Sequence, residues 1–252
     1  MQIQIEARDF QAAVKAMVLV ADKSESKPIL GCFHLHANGN RTAVFTATDY
    51  EQTIAYTVPA VVAEPGDVVL NAQRAAKANA GTKAGAVTIG TEGQHVRVGK
   101  VMLPATDTGL FPVSESPATA YQFTMEAPEL ARALGLAVAF CSPVETRKNL
   151  MGAHLELVEG GLALFTATDG YRLCCTSAAV PQGQTGAACD IIIPRMAMVT
   201  MGKLLKAAKA TGPVNVYGSP ERIVFAFGAV VYTTRTIEGT FTTAIGLATT
   251  AV

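Results

Sequence analysis

The sequence predicts an α+β fold built as a tandem repeat: two copies of one domain, each made of two strand-helix-strand-strand-strand (βαβββ) units. Two observations carry that expectation. One phrase recurs in register across the chain, and the apolar periodicity is the same in both halves. Phe45-Thr46-Ala47-Thr48-Asp49 returns as Phe165-Thr166-Ala167-Thr168-Asp169, 120 residues further on. The same offset, without a gap, pairs Gln2 with Gln122, Glu6-Ala7 with Glu126-Ala127 and His34-Leu35 with His154-Leu155. A register held over some fifty residues marks a duplication. Asp67-Val68-Val69-Leu70 then matches Asp190-Ile191-Ile192-Ile193, and Gly109-Leu110-Phe111 matches Gly239-Thr240-Phe241. The domains expected are 1–116 and 117–252, joined by the Pro- and Ser-bearing stretch Val113 to Ala118. The 252 residues suffice for two such domains, each with its own core.

The elements follow in chain order. Ile3 and Ile5 alternate with Gln2, Gln4 and Glu6, as in a half-buried strand. Asp9 to Val20 has helical spacing, and Ala127 to Phe140 matches it. Alternating stretches at 32–37, 41–48 and 51–60 read as strands, with Asn38-Gly39-Asn40 as a hairpin turn. Asp67–Leu70 is a further strand, Ala72–Ala80 a helix, and 86–90, 95–98 and 100–103 three more strands. Antiparallel sheets with helices on one face are expected. Two stretches, Val101-Met102-Leu103 and Val230-Val231-Tyr232, are apolar enough to be free sheet edges.

Composition excludes several classes. Half the residues are apolar and 16% are charged, which is not the composition of a disordered chain. No apolar run approaches the roughly 20 residues that span a bilayer, and the alternating N-terminus lacks a basic leader. Five cysteines, two of them adjacent at 174 and 175, do not form a disulfide framework, so a reducing cytoplasm is expected. There is no Walker loop, no Cys-x-x-Cys and no third ligand beside His34 and His36, so neither metal nor cofactor is called for. Asp49 and Asp169 occupy equivalent positions, which suggests one structural task performed twice rather than an acid and a base. Nothing asks for catalysis.

Charge is distributed unevenly. The formal net charge is zero, yet the windows 71–83 and 194–209 hold Arg74, Lys77, Lys83, Arg195, Lys203, Lys206 and Lys209 and not one acid. Those of the second window fall within an arc of about 120° on one helix. Recurrence at equivalent places in both copies favours a shared basic surface, suited to a phosphate backbone without sequence readout.

Several segments carry a resemblance. Thr168-Asp169-Gly170-Tyr171-Arg172-Leu173 resembles the Thr-Asp-Gly-His-Arg-Leu segment of the bacterial DNA polymerase III beta subunit, the sliding-clamp family. Pro28-Ile29-Leu30-Gly31, Ile193-Pro194-Arg195 and Gly109-Leu110-Phe111-Pro112 resemble further segments of it, in the same order. The resemblance implies a ring of similar domains, helices lining a hole that encircles double-stranded DNA, with no catalysis. It implies DNA contacts at Lys23, Lys27, Arg147, Lys148 and Asn149, beside the basic helices with Arg74, Lys77, Arg195, Lys203, Lys206 and Lys209. It also implies a pocket for hydrophobic linear motifs of DNA polymerase and clamp-loader proteins. Its wall would be Leu150, Thr168, Gly170, Tyr171, Arg172, Leu173 and Leu247, with Tyr171 where the family usually has His. Family members carry three domains and close as dimers. Two domains here imply a homotrimer, three chains giving six domains by a head-to-tail contact. The alternative is a shortened relative that binds clamp partners as a monomer without encircling DNA.

Overall fold

A computed structural model describes residues 1–22, 27–39, 41–78, 84–112, 117–158, 160–181 and 185–241. The first part of the chain forms β1 (Gln2–Glu6), α1 (Ala7–Val20), β2 (Cys32–Ala37), β3 (Thr42–Thr48), β4 (Gln52–Pro59), β5 (Val61–Glu64) and β6 (Gly66–Asn71). It continues with α2 (Ala72–Ala78), β7 (Ala86–Glu92), β8 (His95–Val98) and β9 (Val101–Pro104). The second part forms β10 (Tyr121–Glu126), α3 (Ala127–Val138), β11 (Gly152–Val158), β12 (Leu162–Thr168), β13 (Leu173–Ala179) and β14 (Thr185–Gly186). It ends with β15 (Asp190–Pro194), α4 (Arg195–Ala208), β16 (Pro213–Ser219), β17 (Arg222–Phe227) and β18 (Val230–Arg235). The expected order is present, with the short strands β5 and β14 added to each half. Asn40, Lys83 and 113–116 of the expected turn, basic window and linker lie outside the described residues.

Two compact units result. The first holds 1–116 together with 206–209 and 225–234, the second 117–205, 210–224 and 235–252. In the first, one sheet has the order β5-β1-β7-β8-β9, and a second ladder runs β18-β4-β3-β2-β6. In the second, β13-β12-β11-β15 form one sheet, and β10 lies between β14 and β16. The ladders are antiparallel. One expectation is corrected: Val230–Tyr232 is not a free edge, because Val230, Val231 and Tyr232 pair with Tyr56, Ala55 and Ile54. Its apolar alternation is satisfied by a neighbouring strand, a choice of partner that periodicity cannot reveal.

The helices show why both halves fold alike. In α1 the buried side chains include Ala7, Phe10, Ala13, Val14 and Met17, and in α3 they are Ala127, Leu130, Ala133, Leu134 and Ala137. These are the same five positions 120 residues apart, an i, i+3, i+6, i+7, i+10 stripe that one helix face presents to a core. The α1 stripe lies against β3 and β4, that of α3 against β12 and β13. Phe10 meets Phe45 edge-on at 5.8 Å, and Phe45 stacks on Phe33 at 5.5 Å. Each such buried ring contributes about 1.5–3 kcal/mol. Neither helix has a side-chain N-cap. Instead the Ala7 N–H donates to the Gly85 carbonyl (2.8 Å) and the Ala127 N–H to that of Gly212 (3.0 Å), satisfying an otherwise orphan donor. The α3 helix ends at Val138 rather than at the expected Phe140.

Candidate functional site

The sharp turns after β3 and β12 are built identically. The Thr48 hydroxyl accepts from the Tyr50 N–H (3.1 Å) and donates to the Gln52 carbonyl (2.9 Å). The Thr168 hydroxyl accepts from the Gly170 N–H (3.0 Å) and donates to the Arg172 carbonyl (2.6 Å). Asp49 Oδ1 accepts from the N–H groups of Glu51 and Gln52, and Asp169 Oδ1 from those of Tyr171 and Arg172. Each aspartate therefore caps its own turn, the local structure that short acidic side chains favour. The next residue turns left-handed in both, φ 76° at Tyr50 and 93° at Gly170.

The second turn carries more charge. Arg172 grips Asp169 Oδ2 through Nε (3.0 Å) and a terminal nitrogen (2.9 Å), and its guanidinium lies 5.2 Å from the Phe140 ring centroid. The backbone N–H groups of Tyr171 and Arg172, and then the guanidinium itself, draw the Asp169 carboxyl down to about 2 from its ordinary 3.8. With Arg172 fixed, Tyr171 projects outward 92% exposed, and Leu173 begins β13 at 45%. Leu150 and Thr168 are half-buried. Phe140, the platform under Arg172, is the residue that sequence reasoning missed. It reads as the end of a helix stripe, and only a helix that stops two residues early frees it.

Arg147, Lys148, Asn149 and Leu150 form a bend closed by a 3-10 turn, with the Leu150 N–H on the Arg147 carbonyl at 2.9 Å. Arg147 lies directly over Gly170, where an added Cβ would come within 2.5 Å of its guanidinium nitrogen. Lys148 is exposed. The Asn149 side-chain amide donates to the Thr240 carbonyl (2.8 Å) and so is occupied within the chain. Lys27 is exposed, with its ammonium near Tyr50. Lys23 and Leu247 lie outside the described residues.

Both basic helices keep their charge in water. Arg74 and Lys77 on α2 are exposed, and Asn71 Oδ1 caps that helix at the Arg74 N–H (3.0 Å). On α4, Arg195, Lys203 and Lys206 are exposed while Ala197, Met198, Met201, Leu204 and Leu205 are buried, and exposed Lys209 follows at φ 49°. Lys203 and Lys206 are three residues apart and so share one face. The histidines have structural company. His34 Nε2 and His36 Nδ1 both meet Asp67 Oδ1 (2.8 and 2.7 Å), and His154 Nε2 meets Asp190 Oδ1 (2.7 Å). Among the described residues no group of three such side chains is arranged to hold a metal. Burial pushes the Cys141 thiol up to about 11 and the Cys189 thiol up to about 12, and raises that of Cys174, the opposite of an activated nucleophile.

This doubled architecture has counterparts among solved structures. The DNA polymerase III beta of Caulobacter crescentus superimposes with a TM-score of 0.88 at 26% identity, over 98% of this chain and 69% of that one. The chain has the sliding-clamp fold. Residues 125–243 match the family model of the DNA polymerase III beta subunit, central domain. The chain is also 29% identical over 251 residues to the beta sliding clamp of Caulobacter vibrioides, covering 96% of this chain. It spans 66% of the length of that clamp. The sliding clamp of Bartonella birtlesii, solved bound to griselimycin, is similar with a TM-score of 0.85 at 23% identity, over 96% of this chain and 66% of that one. The resemblance to bacterial beta clamps thus runs through nearly the whole of this sequence.

Proposed function

We propose that this chain is a DNA sliding clamp of two domains, 1–116 and 117–252, three copies of which close head to tail into a six-domain ring. The ring encircles duplex DNA in the cytoplasm and tethers polymerase and clamp-loader proteins, which insert hydrophobic linear motifs beside Tyr171 and Leu173. It catalyses nothing. The observation that carries this reading is the acid-free, exposed basic face on the second helix of each copy of a clamp fold: Arg74 and Lys77 on α2, Arg195, Lys203 and Lys206 on α4. Such a face attracts phosphates at any sequence and leaves the protein able to slide. Arg147, Lys148 and Lys27 add loop contacts, whereas the engaged amide of Asn149 argues for a bracing task. The griselimycin-bound relative supports a ligand surface on this fold.

The test is retention on DNA of different topology. Protein loaded on nicked circles is expected to stay through a high-salt gel-filtration column and to be lost when the circle is cut. Equal behaviour on circles and linear duplex contradicts encirclement. Binding of a hydrophobic linear-motif peptide without any topology effect would point to the monomeric interaction protein instead.

A further inference from the structure

Helix α3 stops two residues short of its sequence pattern, and side chains from outside it take up its last carbonyls. The Cys141 thiol donates to the Ala137 carbonyl, Arg195 Nε to that of Val138 and a terminal nitrogen of Arg172 to that of Ala139, each at 3.4 Å. The last carbonyls of a helix lack partners within it and form its negative end, where cations are favoured. The first copy has no thiol or guanidinium at these places. Cys141 and Arg172 correspond to Ala21 and Gln52, and Arg195, through the match of Asp67 with Asp190, corresponds to Ala72. There α1 runs on to Val20, the position of Phe140.

The two arginines come from the two surfaces of the proposed function. Arg172 belongs to the turn beside Tyr171 and Leu173, and Phe140, just past the helix end, lies under its guanidinium. Arg195 opens the basic helix α4, its N–H held by the Met151 carbonyl (3.0 Å). We propose that Arg195 is a positioning residue of the partner surface as well as a phosphate contact, so that duplex DNA on α4 weakens the hold on a hydrophobic linear motif. This rests on the proposed DNA and partner surfaces and deepens them by naming what connects the two. The physical reason is the choice open to one guanidinium. With Nε on Val138 it holds the last turn of α3, and with it the Phe140 ring on which Arg172 rests. Arg195 is exposed and the window 194–209 holds no acid, so a phosphate reaches it without displacing a carboxylate from that helix. The 3.4 Å bond to Val138 is long, whereas arginine sits at about 2.7–2.9 Å from a phosphate oxygen, often through two nitrogens. A phosphate therefore takes the guanidinium, and its charge no longer serves the helix end. Linkage makes the effect mutual, the motif weakening DNA binding by the same factor. That factor is about two- to fivefold, the scale of one exposed charge at a helix terminus.

The test is a peptide titration with and without DNA. A fluorescent hydrophobic linear-motif peptide is titrated by anisotropy, at low salt, with the full chain alone and with the full chain saturated by a short duplex. The duplex is expected to weaken peptide binding about two- to fivefold. Arg195→Met, which keeps an apolar stem and loses the donors, should start at the weakened value and not respond to duplex. Phe140→Leu, with Arg195 intact, should also lose the response, because no ring passes it on to Arg172. Parent affinity unmoved by bound duplex, or an Arg195→Met protein that responds as fully as the parent, overturns the coupling and leaves both surfaces standing. A parent chain that binds no peptide, or no duplex, overturns the proposed function and the coupling with it.

Discussion

The ammonium of Lys27 stands 5.2 Å over the ring of Tyr50, and 120 residues on the guanidinium of Arg147 lies against Gly170. In each copy a basic residue at the start of a 3-10 turn closes over the left-handed residue of the neighbouring hairpin. The first pair is a cation on an aromatic face, worth about 0.5–1 kcal/mol when exposed. The second replaces the ring by glycine and brings the cation onto bare backbone. This couples the loop proposed to touch DNA to the turn proposed to hold partner motifs.

Its backbone conformation makes Gly170 sensitive to a single methyl group. At φ 93° an L side chain is strained, and its Cβ would displace the Arg147 guanidinium. Gly170→Ala is expected to lower stability by about 1–2 kcal/mol, read by urea unfolding. The guanidinium is the far end of an exposed, flexible side chain and can swing aside, so in a cycle with Arg147→Ala that cost should persist within about 0.5 kcal/mol. A larger coupling would contradict the backbone origin of the cost.

The Asp169 carboxyl predicts a pH window. Its folded value lies near 2, below the ordinary 3.8, so its contribution is complete above about pH 4 and is lost as pH falls towards 2. Asp169→Asn keeps an acceptor for the two N–H groups but loses the charge that Arg172 grips. The variant should be less stable than the parent at pH 7, with the gap closing between pH 4 and 2 in unfolding midpoints. A gap independent of pH contradicts the ion pair.

Tyr171 separates binding from folding. At 92% exposure, its replacement by Ala should leave stability within about 0.5 kcal/mol of the parent. Affinity for a fluorescent hydrophobic linear-motif peptide should fall about tenfold, as for an aromatic anchor. Unchanged anisotropy titrations would remove Tyr171 from the partner surface.

Reversing the charge of the α4 face tests DNA contact alone. Lys203→Glu, Lys206→Glu and Lys209→Glu alter exposed side chains and no core packing. Retention on circular DNA should fall, and the salt dependence of binding should become shallower by roughly one unit of slope for each phosphate that is no longer neutralised. Solution mass should not change. Undiminished retention would assign the basic face to solvation.

What the sequence made legible was what repeats locally. Phe45-Thr46-Ala47-Thr48-Asp49 and its copy announce the same strand, turn and capping aspartate, and the buried stripe from Ala7 to Met17 reappears from Ala127 to Ala137. Short or non-local features were not legible. Val61–Glu64 sits between Pro59 and Pro65 and reads as the tail of the preceding strand, while Thr185–Gly186 is too short to have a period. That Val230–Tyr232 finds β4 while, among the described residues, Val101–Leu103 pairs with β8 alone is a matter of neighbours, since both stretches are equally apolar. At the site, Tyr171, Arg172 and Leu173 carried the signal by resemblance. Phe140 did not, because its role depends on where α3 stops.

The central claim is that copies of this chain close a ring, and solution mass tests it most directly. Light scattering after size exclusion, over a range of concentrations and salts, should give three times the chain mass of 26.3 kDa. A mass of one chain that persists at high concentration would contradict the ring.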